Sequence, residues 1–271
     1  MSNPPFAISP ETSLQYRDSG LPGDTLSERA LVGATERLSD GGIAVVTCSW
    51  HHASREDWNQ RPERWIEGKE CDSWLICVET RDPLSYAANW LSKSESSEEE
   101  YGRRLDDWLE YYQEQGIGMI SWGVAILRKR SSGVPWRRHD EMAVDWDFKS
   151  LADEVEGVFV AEDLLAGLDD ERLLDQRWRL SSRVVLDQQL RYQQGRWWLA
   201  NARLGLEGGM RYPSNVDDHV REILTGCDGS HSFREVVRQF ALRREFPEVE
   251  LMGFGVKLAR SMVSRGYLVL A

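Results

Sequence analysis

Between residues 25 and 130 the hydrophobic pattern switches repeatedly from helical to extended period, and few folds accommodate such a chain. Thr25-Leu26-Ser27-Glu28 reads as a capping box, with Thr25 as N-cap and Glu28 reaching back. Leu31, Ala34 and Leu38 share one face of the helix that follows, and Gly41-Gly42 ends it. Residues 43–50 are almost unbroken in apolar character and rich in β-branched side chains, which predicts a buried parallel strand. Residues 55–68, with Trp58, Trp65 and Ile66, are expected to be helical in part, and residues 73–80 form a second strand. Asp82-Pro83 supplies an N-cap followed by proline at the first helical position, opening a short helix to about Leu91. The acidic, serine-rich residues 94–100 read as a solvated loop or helix start. Leu105, Trp108, Leu109 and Tyr112 carry a helical face up to Gly116, and residues 117–130 form a third strand. Helix and strand in alternation are the signature of an α/β fold.

Ahead of this alternation stands Asn3-Pro4-Pro5-Phe6. Two consecutive prolines fix φ and remove two backbone donors, so the segment is stiff and non-helical. The Asn3 side chain and the backbone carbonyls of Asn3 and Pro4 are acceptors that no ladder need claim, and Phe6 adds a flat apolar face beside them. Rigid acceptors next to an aromatic ring suit a planar group bearing an NH2.

The tetrapeptide resembles the Asn-Pro-Pro-Phe/Tyr motif of class I S-adenosylmethionine-dependent methyltransferases that modify exocyclic or amide nitrogen, the N6-adenine and N5-glutamine enzymes among them. The resemblance implies that the motif follows the fourth strand of a Rossmann-like sheet. Asn3, Pro4, Pro5 and Phe6 would then be the catalytic residues, holding the target nitrogen toward the methyl donor. The order downstream is similar to the second half of such a domain: helix, strand five, helix, strand six, helix, antiparallel strand seven. Trp50 and His51 then fall at the carboxyl rim of strand five, where a substrate lies, and are candidate substrate contacts. Arg17 and Asp18 follow the motif closely and are candidates to close over the substrate, with a loop ion pair as the alternative.

The family's donor site, a glycine-rich loop after strand one and an acidic residue after strand two, would lie upstream of the tetrapeptide, where this sequence has only Met1-Ser2. Gly253-Phe254-Gly255 sits in a helical stretch without a preceding strand or a third glycine and reads as structural. The expectation is therefore the C-terminal portion of a longer methyltransferase, with S-adenosylmethionine as cofactor and the donor loop absent from these residues.

After Arg130 the composition shifts. Ser131-Ser132-Gly133 marks a boundary, residues 147–175 look helical and acidic, and two strands flank Gln193-Gln194-Gly195 as a hairpin. From Val216 onward three helical patterns and a short strand after Gly266 are similar to a winged-helix module. The expected domains are 1–130 (methyltransferase half), 131–212 (α+β connection) and 213–271 (winged-helix-like). The arrangement resembles bacterial methyltransferases that carry an extra C-terminal domain.

The net charge of −12 over 271 residues disfavours nucleic acid as the partner, although a basic face remains open, so the methyl acceptor expected first is a protein or small molecule. Cys48, Cys71, Cys77 and Cys227 show no CxxC spacing, and Cys48, His51 and His52 form at most a partial ligand set, so no metal is expected. The chain shows neither a signal peptide nor a membrane-length apolar run, and the expected location is the cytoplasm. The rival expectation is a non-catalytic interaction module derived from such an enzyme.

Overall fold

In the computed structural model, which describes residues 1–14, 16–93, 97–142 and 151–271, the chain divides into two units, Met1–Met142 and Ala143–Ala271. Both mix helices and strands.

The first unit runs α1 (Thr25–Arg37), β1 (Ile43–His52), α2 (Gln60–Ile66), β2 (Cys71–Arg81), α3 (Pro83–Leu91), α4 (Glu98–Glu114), β3 (Met119–Lys129) and β4 (Arg137–Glu141). Its sheet has the order β1-β3-β2-β4. The last strand of the three long ones is thus inserted between the other two and runs antiparallel to both, while β4 joins β2 in parallel. Strand β1 was expected to be a parallel strand. Its full ladder is instead antiparallel to β3, and its parallel pairing is confined to Ser2 against Val46. An apolar run reports burial of a strand but not its direction.

Helices cover both faces because the strands alternate. Val46, Cys48 and Trp50 of β1, with Leu75 of β2 and Ala125 and Leu127 of β3, pack against Leu31 of α1 and Trp65 and Ile66 of α2. On the other face Ile120 packs with Tyr86 and Leu91 of α3 and with Trp108 and Tyr112 of α4. Gly123 is dictated by the backbone: a Cβ there would lie 2.0 Å from the Ile76 carbonyl oxygen, beside the bulge in β2 between Cys77 and Glu79. Asp82 caps α3 as its sequence requires, accepting from the Ser85 amide at 2.9 Å. Thr25 does not cap α1: Asp24 holds the cap position without a side-chain cap bond, and the Thr25 hydroxyl donates to the Pro22 carbonyl at 2.7 Å.

The second unit comprises α5 (Leu151–Ala166), α6 (Asp170–Asp175), β5 (Trp178–Leu180), β6 (Val184–Gln193), β7 (Arg196–Leu206), β8 (Ser214–Asn215), α7 (Asp218–Thr225), α8 (Phe233–Arg244), α9 (Glu248–Ser264) and β9 (Leu268–Leu270). Strands β5 and β9 pair antiparallel, and β6-β7-β8 form a separate antiparallel sheet. One apolar core joins Leu165, Trp178 and Leu206 to Phe233, Phe240, Met262 and Tyr267.

These units replace the three expected domains. Residues 137–141 belong to the first sheet through β2, so the boundary lies after Met142 rather than after Arg130. The stretch to residue 212 is no separate connection, because its strands and α5 build the same core as the C-terminal helices. Residues 94–96 and 147–150, parts of two of the expected segments, lie outside the described residues.

Candidate functional site

Asn3-Pro4-Pro5-Phe6 is held at both ends and unclaimed in the middle. The Ser2 amide donates to the Val45 carbonyl at 2.8 Å and the Ser2 carbonyl accepts from the Thr47 amide at 3.0 Å, so the chain enters alongside β1 in parallel. The prolines have no N–H to extend that ladder. Beyond them the Phe6 carbonyl accepts from the buried Ser49 hydroxyl. Ile8, fully buried, is gripped from two helices: its amide donates to Tyr86 Oη at 3.2 Å, and its carbonyl accepts from Tyr112 Oη at 2.7 Å. Between these anchors, the carbonyls of Asn3, Pro4 and Pro5 and the Asn3 amide group have no hydrogen-bond partner among the described residues. Asn3 is exposed and the two prolines are half-buried.

The Phe6 ring lies nearly parallel to Trp122, with centroids 6.1 Å apart and planes 11° from coincidence. Trp122 stands opposite Ser49 in the β1–β3 register, so the same strand pair fixes the Phe6 carbonyl and its ring. The outcome is a stiff row of free acceptors next to an aromatic pair. It can hold a flat group that presents two N–H donors.

The carboxyl end of β1 is tied to the loop before α1 by Asp24. This buried carboxylate accepts from the His51 amide at 3.1 Å and from Arg61 at 2.5 and 2.8 Å, joining α1, β1 and α2 at one point. His51 is half-buried, with Nε2 3.7 Å from Asp24 Oδ1. Burial lowers its pKa from the usual value, against the opposing pull of Asp24. It is the histidine of this rim that remains partly accessible, since His52 is buried and bonded through Nε2 to Ser121 Oγ at 3.0 Å.

Three of the expected substrate contacts are corrected by their surroundings. Trp50 is 1% exposed, packs in the core under α1 and donates Nε1 to the Trp58 carbonyl at 2.6 Å, so it offers nothing to a ligand. Arg17 is 2% exposed. Its guanidinium donates to Asp18 at 2.6 and 2.9 Å and to Glu11, and lies 5.3 Å over the Trp108 ring. Asp18 also accepts from Ser9 Oγ at 2.9 Å and the Leu14 amide at 3.0 Å. Arg17 and Asp18 therefore shape the loop after the tetrapeptide from within. The ion pair, the alternative raised from sequence, is what the geometry holds. Of the eight residues singled out, Asn3, Pro4, Pro5, Phe6 and His51 remain accessible at least in part.

Sequence reasoning missed Ser49, Trp122, Tyr86, Tyr112 and Asp24, each brought to the site by register or helix packing. Local sequence carries no signal for the first four. Asp24 directly precedes the helix, but its carboxylate is taken by Arg61 rather than by the helix it precedes. Burial pushes the Cys48 thiol up to about 12, which makes it inert as a nucleophile. Among the described residues no group of three or more His, Cys, Asp or Glu side chains is arranged to hold a metal ion, and no helix is long and apolar enough to cross a membrane.

Residues 158–270 match the family model of a domain of unknown function, DUF7782, a span that falls within the second unit. No curated protein matches the chain at a significant level.

Proposed function

We propose that the first unit is the acceptor side of an S-adenosylmethionine-dependent N-methyltransferase, in which Asn3 and the Pro4 carbonyl grip an amide or exocyclic NH2. The observation that carries this reading is the set of unclaimed carbonyls at Asn3 and Pro4, held stiff between the Ser2 pairing and the Ile8 clamp beside the Phe6–Trp122 pair. It is supported by the strand order. In the β1-β3-β2 arrangement, with β3 antiparallel to both neighbours and Ser2 parallel to β1, the three long strands correspond to strands five, seven and six of a class I methyltransferase sheet. On the same reading, residues 213–271 form a winged-helix-like module in which α7, α8 and α9 precede β9.

An amide or aryl amine is a poor nucleophile because its lone pair is delocalised into the adjoining π-system. Acceptors that hold both N–H hydrogens favour a more pyramidal nitrogen and aim its lone pair in a fixed direction, while Phe6 covers one face of the plane. That contribution is positioning and fixed electrostatics. The residues present do not fit the methyl donor itself. No strand-turn-helix with a glycine-rich loop occurs among the described residues, and the glycines with positive φ nearest the tetrapeptide, Gly20 and Gly23, lie in the loop before α1.

The test has two arms. Calorimetric titration of S-adenosylmethionine into the 271-residue chain is expected to show no binding, and micromolar binding would mean the donor site is built another way. Where the reading frame continues upstream of Met1, the longer chain is expected to bind the donor and to transfer labelled methyl. Asn3→Ala should then cut transfer by about 100-fold without loss of fold. Full activity in Asn3→Ala would overturn the acceptor-side reading, and failure of both chains to bind would leave the interaction-module alternative in its place.

A further inference from the structure

We propose that the β6–β7 hairpin of the second unit binds single-stranded nucleic acid through the arginine-bearing face near its tip. This goes beyond the methyl-transfer reading and does not depend on it.

The hairpin is closed by a two-residue turn in which Gln194 and Gly195 both take positive φ, 50° and 82°. Such a turn matches the twist of the strands and fixes their register. From Leu186 to Asn201 every residue is exposed, including large apolar side chains: Leu190, Tyr192, Trp197 and Trp198 are 52%, 60%, 66% and 50% exposed. Side chains alternate along a strand, and a shift in register sorts them. Pairing passes from Gln189↔Asn201 to Leu190↔Leu199, leaving Ala200 as the extra residue of a bulge. Beyond it, the pairs Leu190/Leu199 and Tyr192/Trp197 fall on one face, and Arg191/Trp198 and Gln193/Arg196 on the other. The bulge thus separates an apolar face from one that combines arginine, tryptophan and glutamine.

The arginines of this second face are the distinctive feature. Arg191 and Arg196 make no ion pair among the described residues, nor does Arg203 nearer the base of the hairpin, where Asp187 stands opposite it. The arginines of α7 and α8 in the same unit all face carboxylates: Arg221 with Asp218, Arg234 with Glu171 and Asp175, Arg238 with Glu248, and Arg243 and Arg244 with Glu222. In a chain of net charge −12, a strip with uncompensated guanidinium groups is where an anionic partner is least repelled. The Arg196 guanidinium lies 5.4 Å from the Trp198 ring centroid, so cation and π-face are presented together. Phosphate for the arginines and a base for the indole is the combination found in single strands.

A duplex fits less well. Stacking needs the faces of unpaired bases, which a duplex hides, and two or three arginines are too few to hold a duplex through phosphates alone. A protein covering the apolar face would leave the arginines unused. A single strand is flexible enough to place phosphates at Arg191 and Arg196 and a base on Trp198.

The experiment is fluorescence anisotropy of labelled 20-nucleotide oligouridylate and oligothymidylate with the full chain at about 50 mM salt, alongside a duplex of equal length. Micromolar Kd for a single strand, with weaker duplex binding, is expected. The doubly substituted Arg191→Gln/Arg196→Gln chain should bind about tenfold more weakly, and the slope of log Kd against log salt should fall by about 1.4, or about 0.7 for each charge removed. Trp198→Ala should weaken binding by about fivefold or more. All these side chains are exposed, so circular dichroism of the variants should match the parent. Absence of single-strand binding at about 100 µM protein, roughly 100 times the expected Kd, would overturn the proposal. So would affinity indifferent to the arginine pair, or a duplex bound as tightly as the single strand.

Discussion

The two units of this chain handle charge in opposite ways. In the first unit, ionised groups are buried and joined: Arg17, Asp18, Asp24, Asp72 and Arg138 all lie inside. In the second unit, Glu154, paired with Arg183 at 3.1 Å, is the one buried acidic or basic residue among those whose side chains are described, and the remaining pairs lie on the surface around an apolar core. The contrast follows from what each has to connect. The second unit is built on long helices whose apolar faces meet directly, so burial of Phe233, Phe240 and Tyr267 holds it. The first must fasten loops and strand ends that have no apolar face of their own, and it does so with carboxylates that take several donors at once.

The largest effect should come from breaking the densest of these nodes. Asp72 is fully buried at the start of β2 and accepts from Arg128 at 2.9 and 2.5 Å, from Arg130 at 3.1 Å, and from the Trp136 amide at 3.1 Å. It ties β2 to β3 and to the segment entering β4. Asp72→Ala leaves two guanidinium groups and a buried amide without this acceptor and should cost about 3 kcal/mol, the lower end for a broken buried pair because both arginines reach partly to solvent. Urea denaturation followed through hydrogen exchange of the β2 and β3 amides reads this. A cost below about 0.5 kcal/mol would put Asp72 with the surface pairs and erase the contrast.

The same contrast decides what could be read from the sequence. Features whose cause is local were legible: Asp82 capping the helix that Pro83 opens, and the hairpin at Gln194-Gly195. The positions of the three long strands were legible too, because apolar β-branched runs mark them. Their pairing directions and insertion order were not legible in the residues, since period alone gives burial and not pairing. Nodes with distant partners were not legible. Nothing near Asp24 announces Arg61, and nothing near Trp50 distinguishes a rim residue from one sealed under α1 and Trp58. Within the candidate site, the acceptors and Phe6 could be read from the tetrapeptide itself, whereas Ser49 and Trp122, which set their orientation, are assigned by register. The bulge at Ala200, which sorts the hairpin's faces, has no local signature at all.

A smaller and pH-limited effect should separate the units further. Glu11 lies in the loop after the tetrapeptide. Burial raises its pKa, but hydrogen bonds from Arg104, Trp108 and Arg17 outweigh this and bring it from 4.5 to about 2. Its folded pKa is depressed, so its contribution is present above the unfolded value and lost as pH falls from about 4.5 toward 2. Loop anchoring, followed by the fluorescence of Trp108 with the other tryptophans as background, should weaken through that window. Glu11→Gln should be weaker at neutral pH and flatter across the window. An unchanged acid profile in Glu11→Gln would show that the loop is held without its charge.

The smallest effect belongs to the second unit's surface. Arg238 of α8 donates to Glu248 of α9 at 2.9 Å, with both side chains 46% exposed. Two long side chains lose rotamer freedom to meet in water, and salt screens what they gain. A double-mutant cycle over Arg238→Gln and Glu248→Gln should give a coupling of about 0.2–1 kcal/mol that shrinks further in 1 M salt, where the Debye length is about 3 Å. The α8–α9 interface itself should stand, because Phe233 and Val237 pack against Gly255 across it and neither needs the ion pair. A coupling of 2 kcal/mol or more (about twice the upper end for exposed pairs) would mean that the second unit, too, depends on its charges, and the division between the two would then be one of depth rather than of kind.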